Sequence, residues 1–186
     1  MRFELITPAL PDLGAAAGEV LGIPLMDEPF PPAGAAGQID WRLHARISRL
    51  VADAYAANPP EGHFRPLDGQ HLLMPGRPAL GFSWVLLYGL GPREGWSSER
   101  YRTSIETLTG IIGNLKARDL TLLLPPWREA GMTARNAVEL LLRSVAAKKA
   151  GLKAPFDRLC IVEPVEYHAE LSEAAATFLS RAGLGS

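Results

Sequence analysis

The sequence is poor in cysteine, lacks an excess of either charge and contains no long apolar run. One cysteine, Cys160, rules out a framework of internal disulfides. Nineteen Lys and Arg against 20 Asp and Glu leave a net charge of -1, so no overall field attracts nucleic acid. No segment approaches the roughly 18 unbroken apolar residues of a membrane span, and Glu4 interrupts any secretion signal. We therefore expect a cytoplasmic protein.

The composition is that of a folded chain. Hydrophobic residues make up 47% and charged residues 21%, values that exclude a disordered protein. A chain of 186 residues fits one domain, which buries roughly 70% of the surface that its unfolded form exposes. We expect a single domain over residues 1–186.

Hydrophobic periodicity predicts six strands and four helices. The strands are expected at residues 2–7, 20–26, 70–74, 82–88, 120–124 and 158–163. The helices are expected at residues 38–57, from a cap at Ser97 or Ser98 to Leu115, from a cap at Thr133 to about Ala150, and around Leu171, Ala175, Phe178 and Leu179. Three prolines and two glycines favour an exposed loop at residues 27–37.

The order of these elements predicts the fold class. Strands alternate with helices in the second half of the chain, which indicates parallel strands joined by helical crossovers. We predict an α/β protein, a three-layer α/β/α sandwich with a mixed, largely parallel sheet. Arg42, Arg46 and Arg49 lie on one face of the predicted helix at residues 38–57, either as a solvated face or as a contact for nucleic acid.

Three segments carry a resemblance to a known family. They are LLMP at residues 72–75, WVLLYGLG at 84–91 and, after a predicted helix, LTLLLP at 120–125. Together they resemble the N-terminal domain of the leucine aminopeptidase family, whose fold is similar to a macro domain. The resemblance implies a macro-domain-like fold over most of the chain. It does not extend to peptidase activity, because the family's metal ligands and its Asn-Thr-Asp-Ala-Glu-Gly-Arg segment belong to a C-terminal domain that this sequence lacks.

Motifs for catalysis are missing. The sequence contains no Gly-x-Ser-x-Gly elbow, His-Glu-x-x-His pair, phosphate-binding lysine loop or Cys-x-x-Cys pair. Its four histidines fall on different predicted elements, as structural histidines commonly do. We expect no catalytic residues, no metal site and no cofactor.

Three loops are expected at one edge of the sheet, where open α/β sheets bind ligands. They span residues 89–96, 125–129 and 163–168, and each follows a predicted strand. Glycines admit an anion to the backbone, arginine binds phosphate and tryptophan offers a stacking face. The same residue types also favour a protein interface. The candidate ligand or interface residues are Gly89, Gly91, Arg93, Trp96, Trp127 and Arg128.

The sequence leaves three functional hypotheses open. The first is a non-catalytic binding or regulatory module that acts through protein contact, with another protein or with a second copy of itself. The second is a macro-domain-like binder, or weak hydrolase, of ADP-ribose or a nucleotide. The third is a DNA-binding accessory domain, which the near-neutral charge disfavours.

Overall fold

The computed structural model describes residues 1–28, 30–59, 61–149 and 156–184. The strands are β1 (Arg2–Ile6), β2 (Ala17–Leu25), β3 (His71–Pro75), β4 (Gly81–Gly89), β5 (Asp119–Leu123) and β6 (Arg158–Val162). The helices are α1 (Leu10–Ala15), α2 (Gly34–Arg42), α3 (Arg46–Ala54), α4 (Ser98–Leu115), α5 (Ala134–Lys149) and α6 (His168–Arg181). A short 3-10 turn, Val165–Tyr167, precedes α6.

The six strands form one sheet in the order β1-β6-β5-β2-β4-β3. Neighbouring strands are parallel except for β3, which is antiparallel to β4 at the edge of the sheet. β5 and β6 are buried at four of their five positions, as expected for strands covered on both faces. The predicted mixed, largely parallel sheet is confirmed.

Helices cover both faces of this sheet. On one face, α4, α5 and α6 pack on a large apolar cluster that includes Leu86, Leu120 and Ile161. On the other face, α1, α2 and α3 contribute Leu13, Ile39, Ile47 and Val51 to a second cluster. The structure is therefore a three-layer α/β/α sandwich, as predicted.

The predicted helix caps are also found. Ser97 accepts a hydrogen bond from the backbone N–H of Arg100 at 3.4 Å, and Thr133 accepts one from that of Asn136 at 3.2 Å. Each hydroxyl satisfies an N–H group that has no partner inside its helix. These local signals fix where α4 and α5 begin.

The single helix predicted at residues 38–57 is wrong, because two helices, α2 and α3, occupy the region. His44 and Ala45 between them adopt left-handed backbone angles, with φ of 55° and 58°. The buried carboxylate of Asp40 accepts from the backbone N–H groups of Ile47 (2.7 Å) and Ser48 (3.2 Å). Asp40 thus caps α3 from within α2, and this contact stabilises the break.

Two further boundaries differ from the sequence prediction. α1 lies between the strands predicted at residues 2–7 and 20–26, where no helix is predicted, since six residues that include Pro11 and Gly14 give no helical periodicity. α2 begins at Gly34, inside the predicted loop at residues 27–37. Ala150, the predicted end of α5, falls outside the described residues.

Paired charges hold the amino ends of three strands. Arg158 of β6 donates to Glu4 of β1 at 2.7 Å and to Asp119 of β5 at 2.8 Å. Its side chain is only 13% exposed, so both contacts are largely shielded from water. They cross-link three neighbouring strands at this edge of the sheet.

Within the described part of the chain, no helix combines the length and the apolar character needed to cross a membrane.

Candidate ligand-binding cleft

The carboxyl ends of the five parallel strands meet at one edge of the sheet. The segments that follow β4, β5 and β6 therefore lie on the same edge, as the sequence predicts. We call residues 89–96 the β4 loop, residues 125–129 the β5 loop and residues 163–168 the β6 loop. The β5 and β6 loops take part in a cleft, and the β4 loop supports it from the side.

The cleft has a volume of about 310 Å³. Its walls are the first turn of α2, the ends of β5 and β6 and the loops that follow those strands. Pro8, which follows β1, completes the lining. The cleft thus lies outside the carboxyl ends of parallel strands, the usual position of ligands in α/β sheets.

The N-terminus of α2 opens into this cleft without a side-chain cap. Ala33 precedes the helix in an extended conformation, and in the part of the chain that the structure describes no side chain accepts from the first-turn N–H groups. Gly34, Ala35 and Ala36 line the cleft. Their N–H groups have no acceptor inside the helix and carry the positive end of its dipole. This end of α2 therefore favours an anion.

Glu163 places a buried carboxyl group in the cleft. Glu163 directly follows β6, and the residue is 7% exposed. The indole N–H of Trp127 donates to its Oε1 at 3.2 Å. Burial raises the pKa of Glu163 to about 6, although the Trp127 hydrogen bond and the nearby Arg128 charge oppose that rise. The carboxyl group therefore changes charge near pH 6.

Arg128 supplies the positive charge of the cleft. Its guanidinium donates to the phenolic oxygen of Tyr167 at 2.9 Å and lies 5.1 Å and 5.5 Å from the ring centres of Tyr167 and Trp127. These contacts orient the side chain while it stays exposed. Among the described residues, no carboxylate forms an ion pair with it. Arg128 is therefore available to an anionic ligand.

The two predicted tryptophans are buried, so neither offers an open stacking face. Trp96 of the β4 loop donates its indole N–H to the backbone oxygen of Pro126 at 3.0 Å. Trp127 donates to Glu163 of the β6 loop. Both tryptophans connect neighbouring loops and hold the β5 loop in place.

The predicted glycines, Gly89 and Gly91, allow the backbone of the β4 loop to lie close to residues 66–68. A Cβ at Gly89 would lie 2.2 Å from the Leu67 oxygen, and one at Gly91 would lie 2.8 Å from the Asp68 carboxyl group. Their N–H groups donate to the oxygens of Gln70 and Pro66. These groups are therefore already occupied and not free for an anion.

Arg93, also predicted, joins two loops by ion pairs. Its guanidinium binds Glu28, which follows β2, at 2.6 Å, and also contacts Glu129 in the cleft wall. Of the six predicted residues, Trp127 and Arg128 line the cleft, while the other four lie outside its lining.

Sequence reasoning missed the first turn of α2. The run GAAG at residues 34–37 is separated only by Gln38 from Ile39, the first buried residue of the helix. Small residues without a capping side chain are the sequence signal for an open helix N-terminus at this point. The neighbouring prolines hide this signal, because they favour a loop over residues 27–37. Nowhere in the described ranges do three or more His, Cys, Asp or Glu side chains form a group suited to a metal ion.

Solved structures similar to this chain include a leucine aminopeptidase and macrodomains. A leucine aminopeptidase from tomato is 14% identical, with a TM-score of 0.58 over 94% of this chain, which spans 35% of the enzyme. A macrodomain from Oceanobacillus iheyensis with ADP is 10% identical, with a TM-score of 0.68 over 96% of this chain and 92% of its own. A Trypanosoma brucei macrodomain is 13% identical, with a TM-score of 0.66 over 94% of this chain and 67% of its own. The predicted macro-domain-like fold is confirmed.

No curated protein sequence matches the chain. The family model for "Cytosol aminopeptidase family, N-terminal domain" matches residues 25–145, about two thirds of the sequence. The resemblance expected from the segments at residues 72–75, 84–91 and 120–125 is thereby confirmed, since all three lie inside the match. This chain belongs to the cytosol aminopeptidase family, of which it carries the N-terminal domain.

Proposed function

We propose that this domain is a non-catalytic binding module whose cleft holds a nucleotide-like anion. The observation that carries the proposal is the uncapped N-terminus of α2 at the cleft wall, opposite a loop that presents Arg128. Backbone N–H groups and a guanidinium together are the usual means of holding a phosphate. The cytosol named in the family's description is the compartment we propose for it.

The size and the polar groups of the cleft suit a nucleotide-like ligand. A volume of about 310 Å³ lies at the small end of the range for ligand sites. Glu163 in its ionised form accepts hydrogen bonds from hydroxyl or amino groups of a sugar or base. The Oceanobacillus macrodomain, whose fold is similar, is a structure with ADP.

We propose that this module binds its ligand without catalysing a reaction. The matched family model is that of the N-terminal domain, and the described residues of the cleft offer one buried carboxyl group rather than a cluster. Glu163 and Arg128 are placed to orient a ligand. We therefore assign them binding roles only.

The proposal is tested by calorimetry with ADP, AMP and ADP-ribose on the wild type and on two variants of Gly34. Gly34 has φ of 59°, a conformation that Asp and Asn tolerate best, and a Cβ there meets nothing within 4 Å. Gly34→Asp adds a negative charge at the helix N-terminus, which suits the helix but repels an anion. We expect affinity for ADP to fall about tenfold or more.

Gly34→Asn is the matched control. It has the same shape and the same backbone cost but no charge, so we expect ADP affinity within about threefold of the wild type. Absence of binding heat for every ligand at millimolar concentration would refute the proposal. Equal affinity of the Asp and Asn variants would show that α2 does not hold the anion.

A further inference from the structure

An exposed apolar patch lies away from the cleft, towards the amino ends of the parallel strands. Trp84 of β4 is 45% exposed, and Leu115 at the end of α4 is 36% exposed. With Leu73 of β3 they line a surface depression of about 330 Å³. Trp84 lies on the α4 side of the sheet, yet α4 leaves much of its ring uncovered. Large exposed rings gathered with other apolar side chains typically mark contact sites.

The patch adjoins the β3 edge of the sheet. β3 is the last strand in the sheet order and, among the described residues, pairs only with β4. Its sequence, HLLMP, contains no Lys, Arg, Asp or Glu. Natural edge strands usually carry charges that prevent pairing with another chain. β3 lacks such charges, but Pro75, opposite Trp84 in the antiparallel pair, has no N–H group to donate to another strand. A further chain therefore packs on the exposed side chains of the patch rather than extending the sheet.

The charges that line the depression favour a second copy of the chain as the partner. Glu19 and Lys116 both line the depression, one acidic and one basic. Glu19 accepts a hydrogen bond from the backbone N–H of Arg118, and in the described ranges neither residue belongs to an ion pair. In a two-fold contact, Glu19 of one copy can face Lys116 of the other, and the symmetry forms the same pair a second time. The rim is therefore self-complementary in charge.

We propose that this patch is the contact of a homodimer, in which a second copy of the chain packs on Trp84 and Leu115. Glu19 of each copy then faces Lys116 of the other. The exposed indole is the anchor, because tryptophans at the centre of interfaces contribute most of the binding energy. The contact is separate from the cleft, so the result of a dimerisation experiment does not depend on whether the cleft binds a ligand.

Sedimentation equilibrium over a range of protein concentrations tests the dimer. We expect a monomer–dimer equilibrium whose dissociation constant rises about tenfold or more in Trp84→Ser. Trp41→Ser is the matched control, because Trp41 on α2 is 72% exposed but lies far from the patch in the fold, on the other face of the sheet. The control variant should dimerise as the wild type does.

Charge exchange identifies the facing residues. Glu19→Lys and Lys116→Glu should each weaken the dimer, since like charges then meet twice. An equimolar mixture of the two single variants should form a heterodimer, and the double variant should dimerise again. Comparison with the double variant also cancels the loss of the Glu19 bond to Arg118.

Two results would overturn the proposal. One is a chain that stays monomeric at every concentration, which leaves the patch to some other occupant. The other is a dimer that Trp84→Ser does not weaken and that charge exchange does not restore, which places the contact elsewhere.

Discussion

The two ends of the parallel strands differ in how their charges are satisfied. At the amino ends, Arg158 joins Glu4 and Asp119 across three strands, and Arg118 pairs with Asp157 at 2.8 Å. At the carboxyl ends, the N-terminus of α2 has no cap. The amino ends thus carry a charge network that crosses three strands, whereas the carboxyl ends carry an uncapped helix N-terminus beside the ion pairs of Arg93.

The difference separates stability from function in one sheet. Paired charges at the amino ends cross-link strands that are distant in sequence. At the carboxyl ends, burial of Glu163 raises the pKa of its carboxyl group, which costs stability whenever the group is ionised. Sites that are costly to the fold and open to a cleft are typical of function.

Breaking the amino-end network should give the largest loss of stability. We expect Arg158→Ala to lower the free energy of unfolding by about 2 kcal/mol, because Asp119 loses its cation in a partly shielded place. Urea denaturation measures the change. Arg143→Ala, which removes an exposed pair with Glu139 on α5, should cost less than about 0.5 kcal/mol. Equal losses in the two variants would contradict a special role for the network.

Neutralising Glu163 should have a smaller effect of opposite sign. Its pKa rises from about 4.5 to about 6 on folding, so the native state holds the proton more tightly and stability falls as pH rises through that window. In Glu163→Gln this loss of stability with rising pH is absent, because the amide does not titrate. At pH 7.5 we expect the variant to be about 1–2 kcal/mol more stable than the wild type, and at pH 4 nearly equal to it. A variant less stable than the wild type at pH 7.5 would show that the carboxylate is well accommodated.

Most of the sheet could be predicted from the sequence, because buried parallel strands are continuous apolar runs. The break between α2 and α3 could not. Ile39, Leu43, Ile47 and Val51 keep helical spacing across it, and the cause is the buried carboxylate of Asp40, seven and eight residues before its partners. Periodicity records which side of a segment is buried, but not whether the backbone turns between two apolar residues.

The edge that carries the cleft could be predicted, but the role of each residue in it could not. The sequence does not distinguish a buried tryptophan such as Trp96 or Trp127 from an exposed one that stacks on a ligand. Only the hydrogen bonds to their distant partners, Pro126 and Glu163, show that these two tryptophans link loops. Gly89 and Gly91 admit the segment at residues 66–68. These contacts join parts of the chain about 20 to 36 residues apart, beyond the reach of any local motif.

Amide NMR during a titration with ADP compares the two ends of the sheet in a single experiment. We expect the largest shift changes at Gly34, Ala35 and Ala36 and at the indole N–H of Trp127, with the amides of Glu4 and Arg158 unchanged. Shift changes centred on the amino ends, or none at all at millimolar ADP, would contradict a ligand site at the carboxyl ends.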